Sequence, residues 1–406
     1  PLLPIARELA ARGHELRWYT GRKYAARVEG VGAAFEPFTF ARDFDDRNFG
    51  TAFPGRDALS GLRQVQFDVQ HIFVGQIAAQ VRDLRALYRA WPWDVTLAEQ
   101  TLSAALLLEE LGGPPCALLG VLPLGIRSRD TAPFGLGLPP TRGPVGHARN
   151  AALHALTSRL VFGAADRDLR AVCRTLGLPA RPFDPPIAPT LMMQASVPGF
   201  EYTVSDHPPQ LHFIGALTPV TPPGLSLPEW WPDVLTSGRP VVVVTQGTLA
   251  TAPRDLILPT LRALENENVL VIAAGVRDPA TLGPLPANAH SAPFLPFDQL
   301  LPHASVYVTN GGYGGVQLAL SHGLPILSAG TTEDKLEVGR RVQVAGVGLR
   351  LGTRRPGIPA LLASVRRLLG DGTFRTRAEV LQAELRAHDA PREAADLVEG
   401  LVQRRA

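Results

Sequence analysis

Apolar positions along this chain switch repeatedly between a helical and an extended period. "PLLPIARELAARGHELRWYT" opens with Leu3, Ile5, Leu9 and Ala10 at helical spacing, stops at Gly13 and passes into a strand over 14–20. A helix feeding a strand belongs to a βαβ unit, in which the crossover joins two parallel strands. The pattern therefore predicts that the sequence begins inside such a unit, with its first strand and turn before Pro1. Apolar segments at 32–38, 94–100 and 116–122 continue the alternation, and "LSAALLLEELGG" over 102–113 has helical length and a glycine stop. Further on, nearly continuous aliphatic runs at 240–250, 268–275, 304–312 and 324–330 read as parallel strands buried on both faces. Helical stretches lie between them, and the whole predicts an α/β protein with two doubly wound domains.

Two stretches interrupt the pattern. "TFARDFDDRNFGTAFPGRD" within 39–70 mixes aromatic and acidic residues without a clean period and predicts a long loop or flap, followed by a helix to about Ala90. Residues 123–147 are rich in proline and glycine and predict an irregular segment; loops of this length at a sheet edge shape substrate sites. Prolines 219, 222, 223, 228 and 232 mark an extended connection, giving domains at 1–216 and 229–388 with a linker at 217–228. The last segment, 389–406, is an amphipathic helix with Asp389 as its N-cap and one face in want of a partner.

Length and composition narrow the classes. With 406 residues there is room for two cores. Lys and Arg total 40 against 37 Asp and Glu, a net charge of +3, and the cations are scattered, so nucleic acid is not an expected partner. The two cysteines, Cys116 and Cys173, sit in apolar contexts and predict buried thiols in a reducing, cytoplasmic setting. No run is long and apolar enough for a membrane span.

Chemistry concentrates in "VTNGGYGGVQLALSHGLPILSAGTTEDK", 308–335. Ligands of open α/β sheets lie beyond the carboxyl ends of strands, which places Gly247, Thr248 and the stretch from Asn310 to Gly315 at one crevice. Glycines let backbone approach a ligand, and the helix starting near Gly314 offers free N–H groups and a positive dipole end to an anion, although the same glycines also suit plain strand-to-helix turns. The Gly-Lys-Ser/Thr ending of an NTPase phosphate loop is absent, and the glycines do not follow the first strand of a dinucleotide fold, which argues against NTP hydrolysis and nicotinamide chemistry.

"TQGT" followed by "PFLPFDQLLPHASVYVTNGGYGGVQLALSHGLPILSAGTTEDK" resembles the donor half of nucleotide-sugar-dependent glycosyltransferases related to macrolide glycosyltransferases and UDP-glucuronosyltransferases, which have the GT-B fold. The resemblance implies an acceptor-binding first domain, a donor-binding second domain and a final helix that packs back on the first. It further implies that Gly247 and Thr248 lie beside the donor diphosphate and that Phe294 stacks on the base from the place of a family Trp, with Leu295 next to it. Asn310 stands where the family has a phosphate-contacting His; Gly312, Gly314, Gly315 and Val316 match the glycine turn and helix start at the phosphates. Leu318 replaces the glutamate that binds ribose, a contact that Gln317 could partly supply and that a dTDP-sugar would miss less. Asp334 and Lys335 match the acidic residue and Gln that hold sugar hydroxyls, though Asp and Glu also favour a first helical turn.

The implied reaction is inverting displacement of the nucleoside diphosphate by an acceptor hydroxyl. It needs a base and positive character at the leaving group. In the family the base is a His in a Gly-His turn just before the first helix, a position that precedes Pro1, and its orienting carboxylate falls at Glu99. No metal and no cofactor beyond the nucleotide-sugar co-substrate is expected, because backbone amides and the helix dipole serve the diphosphate and none of His14, His212, His290 and His303 stands at metal-ligand spacing. Phe35, Phe38, Phe40, Phe44, Phe49 and Phe53 predict an apolar wall for a small hydrophobic or lipid acceptor, with peripheral membrane contact through the flap as a further expectation, in a monomer or weak dimer. His71 and His147 fall in the same acceptor-side loops. Two other readings stay open at this point: a silent nucleotide-sugar binder and a sugar-nucleotide epimerase.

Overall fold

A computed structural model describes residues 2–45, 48–218, 225–247, 252–276, 278–332 and 334–403. In the first half, helix α1 (Leu3–Ala11) leads to the parallel pair β1 (Arg17–Thr20) and β2 (Ala34–Pro37). Helix α2 (Ile77–Ala90), β3 (Thr96–Glu99), helix α3 (Ala104–Glu110), β4 (Cys116–Gly120), β5 (Leu191–Gln194) and β6 (Leu211–Phe213) follow, the last four strands forming a parallel sheet in that order. The second half holds β7 (Val241–Thr245), β8 (Leu270–Ala274), β9 (Ala289–Ala292), β10 (Ala304–Thr309), helix α4 (Tyr313–Ser321), β11 (Ile326–Ala329), helix α5 (Lys335–Val344) and β12 (Gly348–Leu351). Helix α6 (Ala390–Gln403) ends the described chain.

The aliphatic runs become strands because two faces need covering. Along β7, Val241 and Val243 point into one apolar cluster with Leu270, Ile272 and Tyr307, while Val242 and Val244 point into another with Val271, Ala273, Val306 and Val308. A two-residue period splits one continuous run between two cores. The sheet order is β12-β11-β10-β7-β8-β9, all parallel. From β7 the chain winds one way through β8 and β9, and from β10 the other way through β11 and β12. The switch point between β7 and β10 opens the crevice where an open α/β sheet takes its ligand.

Helix α6 packs against the first domain. Ala390, Ala394, Ala395, Val398 and Leu401 share an apolar cluster with Ile5 and Leu9 of α1 and with Ala117, Leu119, Leu191 and Met193 of the sheet. Arg12 adds ion pairs to Asp396 at 2.6 Å and Glu399 at 2.9 Å. Asp389 caps the helix, accepting from the Arg392 N–H at 3.4 Å while its own N–H donates to Glu393 at 3.0 Å. Cys116 and Cys173 are free and buried, and burial pushes the Cys116 thiol up.

The flap departs from expectation. Instead of one long loop, 39–76 contains short helical pieces, Phe49–Ala52, Leu62–Phe67 and a π-helical turn Asp68–Phe73 that carries His71. Its start is tied down by Asp83 of α2, which accepts the N–H groups of Thr39 (3.1 Å), Phe40 (2.7 Å) and Ala41 (3.1 Å). Its phenylalanines do not make one continuous wall either. Phe38 packs on Tyr19, Phe44 packs on Phe49 and Phe53, and Phe40 lies under the Arg82 guanidinium at 3.5 Å. Of the six, Phe53 is buried and Phe40 is still 45% exposed. Residues 123–142 carry no regular element, as their composition predicts, but a helix, Gly143–Leu160, begins just short of His147. Most of the linker's prolines, and Thr248, lie outside the described residues.

Candidate active site

The carboxyl edges of the two sheets meet across one cleft. Gln194, at the end of β5, donates from Nε2 to the Tyr313 hydroxyl at 3.1 Å, and Tyr313 is the first residue of α4, entered directly from β10. On the second-domain side, Gln246, Asn310, Ala329, Gly330, Thr332 and Lys335 line a cavity together with Asp255 and Arg354. Sequence reasoning names only Asn310 and Lys335 of this set, since Gln246, Gly330 and Thr332 have no pattern of their own and reach the cavity through strand ends.

Among the described residues, the amino end of α4 lacks a side-chain cap. Gly312 is its N-cap, and the first-turn N–H groups of Tyr313, Gly314 and Gly315 have no intrahelical acceptor. A Cβ added at Gly312 or at Gly314 would meet no protein atom within 4 Å. Neither has a positive φ. The fold therefore does not require glycine at these two places, and a helix end whose first N–H groups lack a cap can take an anion. Gly247 does need to be glycine, at φ +69°, at the end of β7 facing Asn310.

Several expected contacts change on inspection of their partners. Val316 is fully buried and its N–H closes the first helical turn on the Gly312 carbonyl at 3.1 Å, so it offers a ligand nothing. Leu295 is buried in the apolar core, whereas Phe294 beside it is 56% exposed and keeps a ring face free. Asn310 is expected to donate to phosphate, yet its amide donates to the Gln246 carbonyl and its Oδ1 has no partner. The carbonyl fixes the amide's orientation, and an oxygen beside a diphosphate would repel it. Gln317 is turned away from any ribose; its amide donates to Ser196 Oγ at 2.6 Å and to the Ala195 carbonyl at 3.2 Å. Leu318 is buried.

Charge sits at two edges of the cleft. Asp334, at the N-cap of α5, makes no capping bond, and burial pushes its carboxyl up from 3.8 to about 6. Lys335 is buried, donates from Nζ to Thr332 Oγ1 at 3.2 Å, and is pushed down by burial to about 8. In the first domain, Glu99 ends β3. Its Oε2 accepts the N–H of Thr101 at 3.1 Å and the Thr101 hydroxyl, while Oε1 is buried with no partner, and desolvation raises its pKa. Among the described residues no group of three His, Cys, Asp or Glu side chains could hold a metal ion, and no helix is long and apolar enough to cross a membrane.

Two doubly wound domains whose carboxyl edges face one cleft define the GT-B fold. Comparison with known proteins agrees. Residues 255–401 match the family model described as Erythromycin biosynthesis protein CIII-like, C-terminal domain. The chain is 41% identical to 4'-demethylrebeccamycin synthase of Lentzea aerocolonigenes, over 99% of this chain and 96% of that one. It is 33% identical to UDP-glycosyltransferase 2 of Phaeomoniella chlamydospora, over 98% and 91% of the two chains. The crystal structure of the calicheamicin glycosyltransferase CalG4 covers all of this chain, and 95% of its own, with TM-score 0.74 at 22% identity; the spinosyn rhamnosyltransferase SpnG complexed with thymidine diphosphate gives 0.69 at 22%, over 98% and 95%. The chain belongs to the GT-B glycosyltransferases that include natural-product glycosyltransferases and UDP-glycosyltransferases, and it is a glycosyltransferase. Family membership decides for that activity over epimerisation or silent binding.

Proposed function

We propose that the enzyme transfers a sugar from a nucleoside diphosphate, UDP or dTDP, to a hydroxyl of a small apolar acceptor, with inversion at the anomeric carbon. The observation that carries this reading is the uncapped amino end of α4 with Gly312 and Gly314 facing open space at the switch point of the sheet. The diphosphate lies against those N–H groups, Phe294 stacks on the base, and Asp334 and Lys335 hold the sugar. In the displacement, the acceptor oxygen bonds to the anomeric carbon as the bond from that carbon to the diphosphate oxygen breaks. The acceptor proton goes to the imidazole base that the family resemblance implies, held by Glu99, and the α4 amino end takes up the charge of the leaving diphosphate.

A single substitution separates ligand need from fold need. Gly314→Ala keeps or slightly raises the melting temperature, since alanine in a helix is worth up to about 0.5–1 kcal/mol over glycine, while its methyl weakens nucleotide binding on the order of tenfold by standing in the ligand's space. Calorimetric titration of UDP and dTDP into both proteins reads the two effects. Equal affinity of wild type and variant for nucleotide would defeat the placement of the diphosphate.

The same titration reports on the nucleoside. With Leu318 buried and Gln317 buried as well, its unpartnered Oε1 included, neither supplies an acceptor to a ribose 2'-hydroxyl. Thymidine diphosphate occupies two structural neighbours, while relatives at 30–35% identity bear UDP-transferase names. UDP is expected to bind no more than about threefold tighter than dTDP, less than a good hydrogen bond contributes. A preference for UDP of tenfold or more, roughly 1.4 kcal/mol, means that another residue reads the 2'-hydroxyl.

A further inference from the structure

The side of α5 beyond Asp334 and Lys335 is bonded into the other domain. Glu337 Oε1 accepts the N–H groups of Gly135 at 2.9 Å and Gly137 at 2.8 Å, both in the irregular 123–142 segment of the first domain. Glu337 Oε2 accepts from Arg341 Nη1 at 3.0 Å. Arg341, whose side chain is 1% exposed, continues to Glu201 Oε2 at 2.6 Å and to the Leu124 carbonyl at 2.8 Å, with its guanidinium 4.1 Å from the Tyr202 ring centre. Glu201 also accepts the Leu124 N–H at 3.2 Å and the hydroxyl of Tyr313, the first residue of α4. Contact is close as well as polar: Arg340 Nε donates to the Gly137 carbonyl at 2.8 Å, and a Cβ at Gly137, φ +58°, would stand 2.8 Å from the Leu336 carbonyl.

Two carboxylates and one guanidinium buried together gain little net stability over an apolar replacement, because desolvation offsets their attraction. What they give is one fixed arrangement. Here that arrangement joins α4 and α5, whose amino ends hold the donor in the reading above, to the loop that follows β4 in the acceptor domain. We propose that Glu201, Arg341 and Glu337 are positioning residues: they set the 122–137 loop against both donor helices so that the acceptor hydroxyl meets the anomeric carbon. The inference rests on the donor assignment of α4 and α5, and it adds that acceptor placement is dictated from the donor domain.

Three variants test it: Glu337→Gln, which keeps an oxygen for the two glycine N–H groups and removes the charge facing Arg341; Arg341→Lys, which removes the planar fork; and Gly137→Ala, which lifts the loop off α5 and leaves no buried charge unpaired. Each is checked for folding by near-ultraviolet circular dichroism. Three quantities are then read: nucleotide affinity by calorimetry, donor hydrolysis without acceptor, and the acceptor KM with the fraction of consumed donor that ends on acceptor. Expected are nucleotide affinity and acceptor-free hydrolysis within about twofold of wild type, an acceptor KM raised on the order of tenfold, and a fall in the transferred fraction, as for a misplacement of about 1 Å. Unchanged acceptor KM and transferred fraction in the folded variants overturn the proposal, and so does a loss of nucleotide affinity equal to the loss in acceptor KM. Should the two charge variants fail to fold, Gly137→Ala decides by the same readings. Wild-type protein that binds no nucleotide would instead remove the donor reading itself.

Discussion

Glu99→Gln is expected to lower kcat by roughly 10³–10⁴-fold while leaving nucleotide affinity unchanged, the size of effect seen when a base loses its orienting carboxylate. Two observations motivate this expectation. Thr101 holds one carboxylate oxygen in place, and the other is buried and unpartnered at the carboxyl end of β3, the position from which an imidazole N–H can be fixed. Burial raises the Glu99 pKa, so the working charged form is lost as pH falls through that raised value, and the acid limb of kcat/KM lies above the ordinary glutamate range. Glutamine keeps the shape and removes the charge. A Glu99→Asp control is expected to retain part of the rate, and a Glu99→Gln enzyme within tenfold of wild type would exclude the orienting role.

Asp334→Asn is expected to cost about 2–3 kcal/mol in kcat/KM, roughly 30- to 150-fold, because hydrogen bonds from sugar hydroxyls to a carboxylate are worth more than those to an amide. Its stability effect has the opposite sign. An acid whose folded pKa is raised from 3.8 to about 6 binds its proton more tightly in the folded state, so its penalty grows as pH rises from about 4 to about 6 and is complete above that. Asparagine removes the penalty. The variant should therefore melt higher than wild type near pH 8, by on the order of 1 kcal/mol once partial exposure is discounted, with the difference vanishing toward pH 4. Steady-state kinetics beside thermal melts across pH checks both halves. A variant that loses activity and stability together at pH 8 would point to a structural role at the head of α5. The pattern expected is the trade of stability for function at a binding group.

What the sequence made legible followed from how completely each element is covered. β7, β8 and β10 are buried on both faces and leave unbroken aliphatic runs, and the glycines at the head of α4 stand out as two pairs on either side of Tyr313. β5 and β6, of four and three residues, are too short to show a period. Glu337 and Arg341 lie four apart on one helix and read as an ordinary surface pair; the partner that makes them a buried network, Glu201, is 140 residues away from Arg341. Val316, Gln317 and Asn310 show what a motif leaves out. A motif gives a residue's place along the chain, whereas its role depends on where its donor points, and here a donor of each is taken up by Gly312, Ser196 and Gln246 respectively.

Because α6 returns to rest on α1 and the first sheet, the polypeptide crosses between the two lobes twice, once before β7 and once before α6. A body tethered at one point can swivel freely; one tethered at two turns only about the line joining them. A hinge-like opening is therefore the expected relative motion of the lobes.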